Sequence, residues 1–324
     1  MASNPILSAD NLVKRYAGKS RVDGAVTAVN HVSFALRQGE VTALIGESGS
    51  GKTTIARILT GLEKPTSGAV VWENHAPLSR KALQQRVQMV FQDPFAALNP
   101  MNSVGYTVSR PLINYRHMAR SQISGEVTRL LEAVQLTPGS AYIYKRPFEL
   151  SGGQRQRVVI ARALAAAPQV IVADEPVSML DVSIRSEILR LLRAVLEHQG
   201  VQSMLYITHD LLSAQLIADQ VLVLYRGHIV ERGPTQEILQ NPLHPYTQLL
   251  MDSIPNPWRR KESRPRVAQT MSSKASEGCP FAPLCPLVME PCWSRPAPNV
   301  ERPSGGHVAC FAVQDGRTQQ ARDQ

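Results

Sequence analysis

The sequence contains no run of eighteen apolar residues. Its richest stretch, Val158 to Ala173, is interrupted by Arg162 and by the Pro168-Gln169 pair, so the chain does not span a membrane by itself. The start, MASNPILSADNLVKRY, lacks a basic segment followed by an apolar core, which excludes a recognisable secretory signal and points to a cytoplasmic location. No cysteine occurs before position 279. There is no internal repeat, and no interleaving of basic and aromatic residues of the kind that stacks nucleic-acid bases.

What is present is a 324-residue chain of net charge +9, long enough for one large domain with an appendage or for two domains. The charge suits anionic partners such as nucleotides, nucleic acid or the inner face of a membrane, and equally a solubilising surface.

The run EVTALI (40–45) has strand character and leads directly into GESGSGKTT, followed by IARILTGL with helical spacing. Two further buried-strand candidates, QVIVADEP and SMLYITHD, alternate with helical stretches including SIRSEILRLLRAVLEHQ. This alternation predicts a doubly wound α/β core with a largely parallel sheet. From about 93 to 167 strand runs are lacking and EVTRLLEAVQL is helical in period, which predicts a helical insertion. Beyond Arg232-Gly233-Pro234 prolines and basic residues accumulate, and a boundary is expected near 235–245. The polar stretch Arg259 to Glu277 reads as a linker.

Gly46-Glu47-Ser48-Gly49-Ser50-Gly51-Lys52-Thr53 fits the phosphate-loop pattern G-x-x-x-x-G-K-[ST] at each fixed position, between a strand and a helix. In such a loop the amides turn inward, Lys52 reaches the β- and γ-phosphates, and the Thr53 hydroxyl can bind Mg²⁺. The strand Val170 to Ala173 ends in Asp174-Glu175, which a parallel sheet delivers to the same edge as the loop. Asp174 is then expected to hold Mg²⁺ through water and Glu175 to polarise an attacking water; an acidic pair that merely caps the next segment is the alternative. LSGGQ (150–154) reads either as an ordinary capped helix start with Ser151 as N-cap, or as a second anion-binding helix terminus.

With these motifs in order, the chain resembles the ATPase subunit of an ATP-binding cassette (ABC) transporter over about residues 6 to 240. The resemblance implies a P-loop, RecA-like nucleotide-binding domain (1–240) with a helical insertion, followed by a small cysteine-containing C-terminal extension (241–324). It implies ATP binding by Tyr16, under the adenine, and by Gly46, Glu47, Ser48, Gly49, Ser50, Gly51, Lys52, Thr53 and Thr54. It implies Mg²⁺ contacts from Thr53, Gln92 and Asp174, and catalytic roles for Glu175, His209 and Gln92. Ser151, Gly152, Gly153 and Gln154 would face the nucleotide of a second subunit, identical or homologous, and Asp181 would couple the pair. Met179 departs from the alanine common in the family, and the segment that follows Tyr16 is unusually long.

VFQDPFAALNP (90–100), NPLHPYTQLL (241–250) and the cysteine tail resemble the oligopeptide/dipeptide/nickel importer branch more narrowly. That resemblance implies a subunit at the cytoplasmic face of the plasma membrane. It would energise uptake of peptides or a related solute through two membrane permeases fed by an external solute-binding protein, with no nucleic acid partner. The thiols Cys279, Cys285, Cys292 and Cys310 are spaced C-x₅-C-x₆-C-x₁₇-C, which matches neither paired zinc spacing nor the common ferredoxin runs. A [4Fe–4S] cluster, a structural zinc and free buried thiols all remain open for them. Two other functions compete with import: a soluble ABC ATPase acting on nucleic acid, and an iron–sulfur or metal-sensing regulatory module.

Overall fold

The computed structural model describes residues 4–17, 25–73, 77–253, 278–302 and 305–317. The expected linker at 259–277 lies outside these. In chain order the elements begin β1 (Pro5–Tyr16), β2 (Val26–Arg37), β3 (Val41–Ile45), α1 (Lys52–Leu59), β4 (Ser67–Trp72), α2 (Arg80–Arg86) and β5 (Val87–Val90). A helical stretch follows with α3 (Pro94–Ala97), α4 (Val104–Asn114), α5 (Arg120–Ala133) and α6 (Gly152–Leu164). Then come β6 (Val170–Asp174), α7 (Val182–His198), β7 (Ser203–Thr208), α8 (Leu211–Ile217), β8 (Gln220–Tyr225), β9 (His228–Pro234), α9 (Thr235–Gln240) and α10 (Pro245–Asp252). The last part carries α11 (Pro291–Ser294), β10 (Asn299–Glu301), β11 (His307–Ala309) and α12 (Phe311–Gln314).

The main sheet has the order β10-β11-β9-β8-β3-β7-β6-β5. Its pairs β3–β7, β3–β8, β5–β6 and β6–β7 are parallel, and those involving β9 and β11 are antiparallel. β3, β6 and β7 are buried at every residue, as their unbroken apolar runs require when both faces of a parallel sheet are covered. One face packs on the helices α4 to α8 through a core that includes Leu131, Val158, Ile188, Leu192 and Tyr206. The other face packs on α1 and on a separate three-stranded antiparallel sheet, β2-β1-β4, through Leu12, Phe34, Leu44, Ile55, Trp72, Val172 and Ile207.

The α/β class and its central strands agree with the sequence reading. The separate antiparallel sheet and the strands β5, β8, β9, β10 and β11 are additions to that reading; β1, irregular in register at several points, lacks clean alternation, and β5, β10 and β11 are only three or four residues long.

The chain after β9 remains attached to this body. β11 pairs with β9 at His307–Arg232 and Val308–Glu231 and so extends the main sheet. Buried Arg302 pairs with buried Glu231 of β9, whose carboxylate also accepts the amides of Leu243 at 2.8 Å and His244 at 3.1 Å. His244 is the N-cap of α10, its Nδ1 accepting from the Tyr246 amide at 3.0 Å.

Burial pushes the His244 pKa down to about 3, against about 6.5 for an unfolded chain. Between these values the unfolded state holds the extra proton, so stability falls as pH drops through that window. Urea titrations at pH 7 and pH 5 should therefore show a pH-dependent loss smaller by roughly 2 kcal/mol in His244→Asn than in the parent chain; equal losses would refute the assignment. Arg302→Met strands the Glu231 carboxylate and should lower unfolding stability by about 3–5 kcal/mol at neutral pH in the same titration.

Candidate functional site

The loop from Gly46 to Gly51 joins the fully buried β3 to α1, and its backbone is pressed against the β8–β9 turn. A Cβ on Gly46 would lie 2.2 Å from the Leu224 carbonyl oxygen. Gly51 has φ 108°, and a Cβ there would lie 2.2 Å from the carbonyl oxygen of Ala28. Both positions therefore exclude a side chain. The Gly227 amide donates to the Ser50 carbonyl at 2.8 Å and fixes the loop from the far side.

Lys52 is only 6% exposed. Its Nζ donates to the Gly46 carbonyl at 2.7 Å and the Glu47 carbonyl at 2.8 Å. Burial lowers its pKa, opposed by the nearby carboxylates of Glu175, Asp174 and Glu47. The site thus holds a desolvated cation beside a glycine loop, a setting that favours an incoming polyanion.

β6 ends at Asp174, which is 4% exposed. Burial raises its pKa, and a hydrogen bond from Thr53 partly offsets the rise. The side chains of Thr53, Asp174 and Gln92 offer oxygen donors of the kind that suits a hard cation such as Mg²⁺. The next residue, Glu175, has φ 45°, in the left-handed region that a non-glycine residue occupies only under constraint. Its amide is held by the Ile207 carbonyl at 2.9 Å.

This turn presents the Glu175 side chain to two partners. Gln92 Nε2 donates to Oε2 at 3.1 Å, and His209 Nδ1 lies 3.1 Å from Oε1. Asp93 caps α3 by accepting the Phe95 and Ala96 amides, which fixes Gln92 just ahead of the helix. Glu47, Ser48, Gly49, Gly51, Lys52, Thr53, Thr54, Gln92, Glu175 and His209 line one cleft of about 580 Å³, together with Ala28.

The remaining expected residues lie outside that lining. The Tyr16 hydroxyl donates to Glu63 at 2.9 Å and is 3.4 Å from the hydroxyl of Thr54, which lines the cleft. Ser151, Gly152, Gly153 and Gln154 start α6 as a capping box: the Gln154 amide donates to Ser151 Oγ at 3.3 Å, and the Ser151 amide donates to Gln154 Oε1 at 3.1 Å. Asp181 is the exposed N-cap position of α7. Ala28 and Tyr246 escaped the sequence reading. An alanine in a strand carries no chemical signal, and Tyr246 lay in a segment quoted only for its resemblance to the importer branch.

The iron–sulfur alternative for the cysteines finds no support among the described residues. The four thiols are free and lie within electrostatic reach of one another. Among the described residues, however, no three or more Cys, His, Asp or Glu side chains are grouped so as to hold a metal. Burial pushes Cys279 up to about 11 and Cys285 up to about 12, and raises Cys310. Cys279 and Cys292 pack into the main core and Cys310 into a small cluster with Val308 and Ala312.

Comparison with known proteins gives this geometry a context. The ABC transporter family matches residues 29–178, and the oligopeptide/dipeptide transporter C-terminal region matches 230–292. A probable peptide ABC transporter ATP-binding protein of Sinorhizobium fredii is 40% identical, over 95% of this chain and 90% of its own. The dipeptide transport ATP-binding protein of Escherichia coli is 38% identical, over 95% of each chain. Among solved structures, an ATP-binding cassette seen as a dimer after hydrolysis, bound to ADP and Pi, superposes with TM-score 0.62 at 30% identity, covering 71% of this chain and 99% of that one. A component of the cbiONQ ABC transporter complex of Clostridium perfringens gives 0.64 at 30% identity, covering 74% and 92%. Neither a nucleic-acid function nor an iron–sulfur regulator finds support among these relatives. By its fold, its phosphate loop and its likeness to these proteins over nearly its whole length, the chain belongs to the ATP-hydrolysing subunits of ABC transporters, in the branch that carries the oligopeptide/dipeptide C-terminal region.

Proposed function

We propose that this ATPase energises the import of peptides or a related small solute, working at the cytoplasmic face of the plasma membrane. Its partners would be a second ATP-binding subunit, identical or homologous, two membrane permeases and, indirectly, an external solute-binding protein. The names of its relatives, the C-terminal region and the dimeric state of the solved neighbour support this assignment. Residues 1–240 would form the ATPase domain and 241–324 an extension proper to the importer branch.

One observation carries the chemistry: Glu175 is held by Gln92 and His209 in the cleft that Lys52 and Thr53 also line. In this reading the amides of the phosphate loop and Lys52 bind the β- and γ-phosphates, and Tyr16 supports the adenine. Thr53, Asp174 and Gln92 hold Mg²⁺, which neutralises charge on the phosphates when bound. Water attacks the terminal phosphorus, its proton passes to the Glu175 carboxylate, and ADP leaves with the bridging oxygen. His209, exposed and beside Glu175, contacts the γ-phosphate. Ser151, Gly152, Gly153 and Gln154 of the second subunit close the site from the opposite side, because a helix start without side chains at 152 and 153 lets a phosphate approach the amides. Asp181 links the two sites across the pair. A nucleotide bound by both subunits favours their closed state by its differential affinity, and hydrolysis removes that bias.

Glu175→Gln should lower ATP turnover by roughly 10²–10⁴-fold while leaving nucleotide affinity intact, with ATP-dependent dimers accumulating on size-exclusion chromatography. Normal turnover in this variant would remove Glu175 from the role of base. Lys52→Ala should instead weaken ATP binding itself, measured by titration with a fluorescent ATP analogue.

A further inference from the structure

We propose that Tyr246, from the C-terminal segment, is a positioning residue of the nucleotide site: its hydroxyl holds the head of the phosphate loop in the shape that receives a triphosphate. The proposal rests on the reading of Gly46 to Thr54 as the triphosphate site.

The Glu47 amide donates to the Tyr246 hydroxyl at 3.1 Å. The carbonyl of Glu47 accepts from Lys52 Nζ at 2.8 Å. Residue 47 is thus gripped on one side by the loop's own cation and on the other by a residue 199 positions away. Glu47 precedes Ser48 and Gly49, which line the cleft, and Gly49, without a Cβ and with open space around it, leaves that stretch free to rearrange. A fixed residue 47 limits that freedom.

Tyr246 is itself over-determined. It is 0% exposed, and its ring lies 4.4 Å from that of Tyr225 and 5.6 Å from that of Phe281. Tyr225 meets Phe281 edge-on at 5.3 Å. Phe281 belongs to the cysteine-bearing segment, where the Cys279 amide donates to the Cys292 carbonyl at 2.8 Å. From the other direction the Tyr246 amide is held by His244, and the His244 amide by the Glu231 carboxylate that pairs with Arg302. Burial also keeps the Tyr246 hydroxyl protonated. The extension is therefore wired through packed aromatic rings and one buried ion pair to a single amide of the phosphate loop.

Loss of the hydroxyl leaves that amide without its partner and lets the loop populate shapes that do not bind. Apparent affinity then falls with the competent fraction, whereas saturating nucleotide restores the bound shape. For a hydrogen bond of ordinary net worth, this is about a three- to tenfold rise in Kd and KM for ATP, with kcat unchanged.

The test uses the full chain, with affinity measured by titration with a fluorescent ATP analogue and turnover by phosphate release. Tyr246→Phe, Tyr225→Phe and Lys52→Ala are compared with the parent. A three- to tenfold higher Kd and KM at unchanged kcat in Tyr246→Phe, with no change in Tyr225→Phe, supports the proposal. An affinity within twofold of the parent, or a fall in kcat at unchanged KM, overturns it even if melting temperature drops, since a merely structural tyrosine would lower stability alone. Should Tyr246→Phe not fold, Phe281→Leu, which loosens the ring while keeping the hydroxyl, must raise KM by at least twofold for the proposal to stand. If Lys52→Ala binds ATP as the parent does, the phosphate-loop reading itself fails, an outcome distinct from failure at Tyr246 alone.

Discussion

The ammonium of Lys52 is nearly removed from water and spends two of its hydrogen bonds on the carbonyls of Gly46 and Glu47. A cation so placed loses solvation that only nearby negative charge can return, and Asp174, Glu175 and Glu47 supply part of it. The rest of the fold serves this arrangement. β3 and β6, adjacent to β7 in a parallel sheet, bring the phosphate loop and the acidic strand end to one edge. The same edge receives His209 after β7, while Gln92 arrives from the end of β5.

Crowding around the loop explains why Gly46 and Gly51 exclude side chains, and it comes from several parts of the chain. Ala28 of β2 and Leu224 of β8 press on it through their carbonyls. Gly227 holds Ser50 from the β8–β9 turn, and Tyr246 holds Glu47 from α10. These contacts come from separate stretches of sequence, so the phosphate loop reports on the packing of the antiparallel sheet, the main sheet and the extension together. The extension, with β11 paired to β9 and Arg302 buried against Glu231, continues the body of the enzyme. Cys279, Cys292 and Cys310 are buried within that packing.

Much of the site was legible before any coordinates. GESGSGKT, VADE, LSGGQ and ITHD are short, and their chemistry depends on residues adjacent in the chain, so the strand, loop and helix around each follow from local pattern. The meeting of Lys52 and Glu175 at one cleft followed from the expectation that parallel strands share an edge, whereas Gln92 and His209 were expected there only from the family resemblance. The surroundings of the thiols were not legible, because spacing along the chain does not state burial.

The sequence alone therefore determined the nucleotide loop, the acidic strand end, the capped start of α6 and the α/β class, since each is written in residues a few positions apart. Only the tertiary structure decided that Ala28 walls the cleft, that Glu175 turns through a left-handed conformation toward Gln92 and His209, and that Tyr246 reaches the Glu47 amide. The reason is physical. These contacts join residues tens to about two hundred positions apart, and their formation depends on how whole layers pack, which local pattern does not encode.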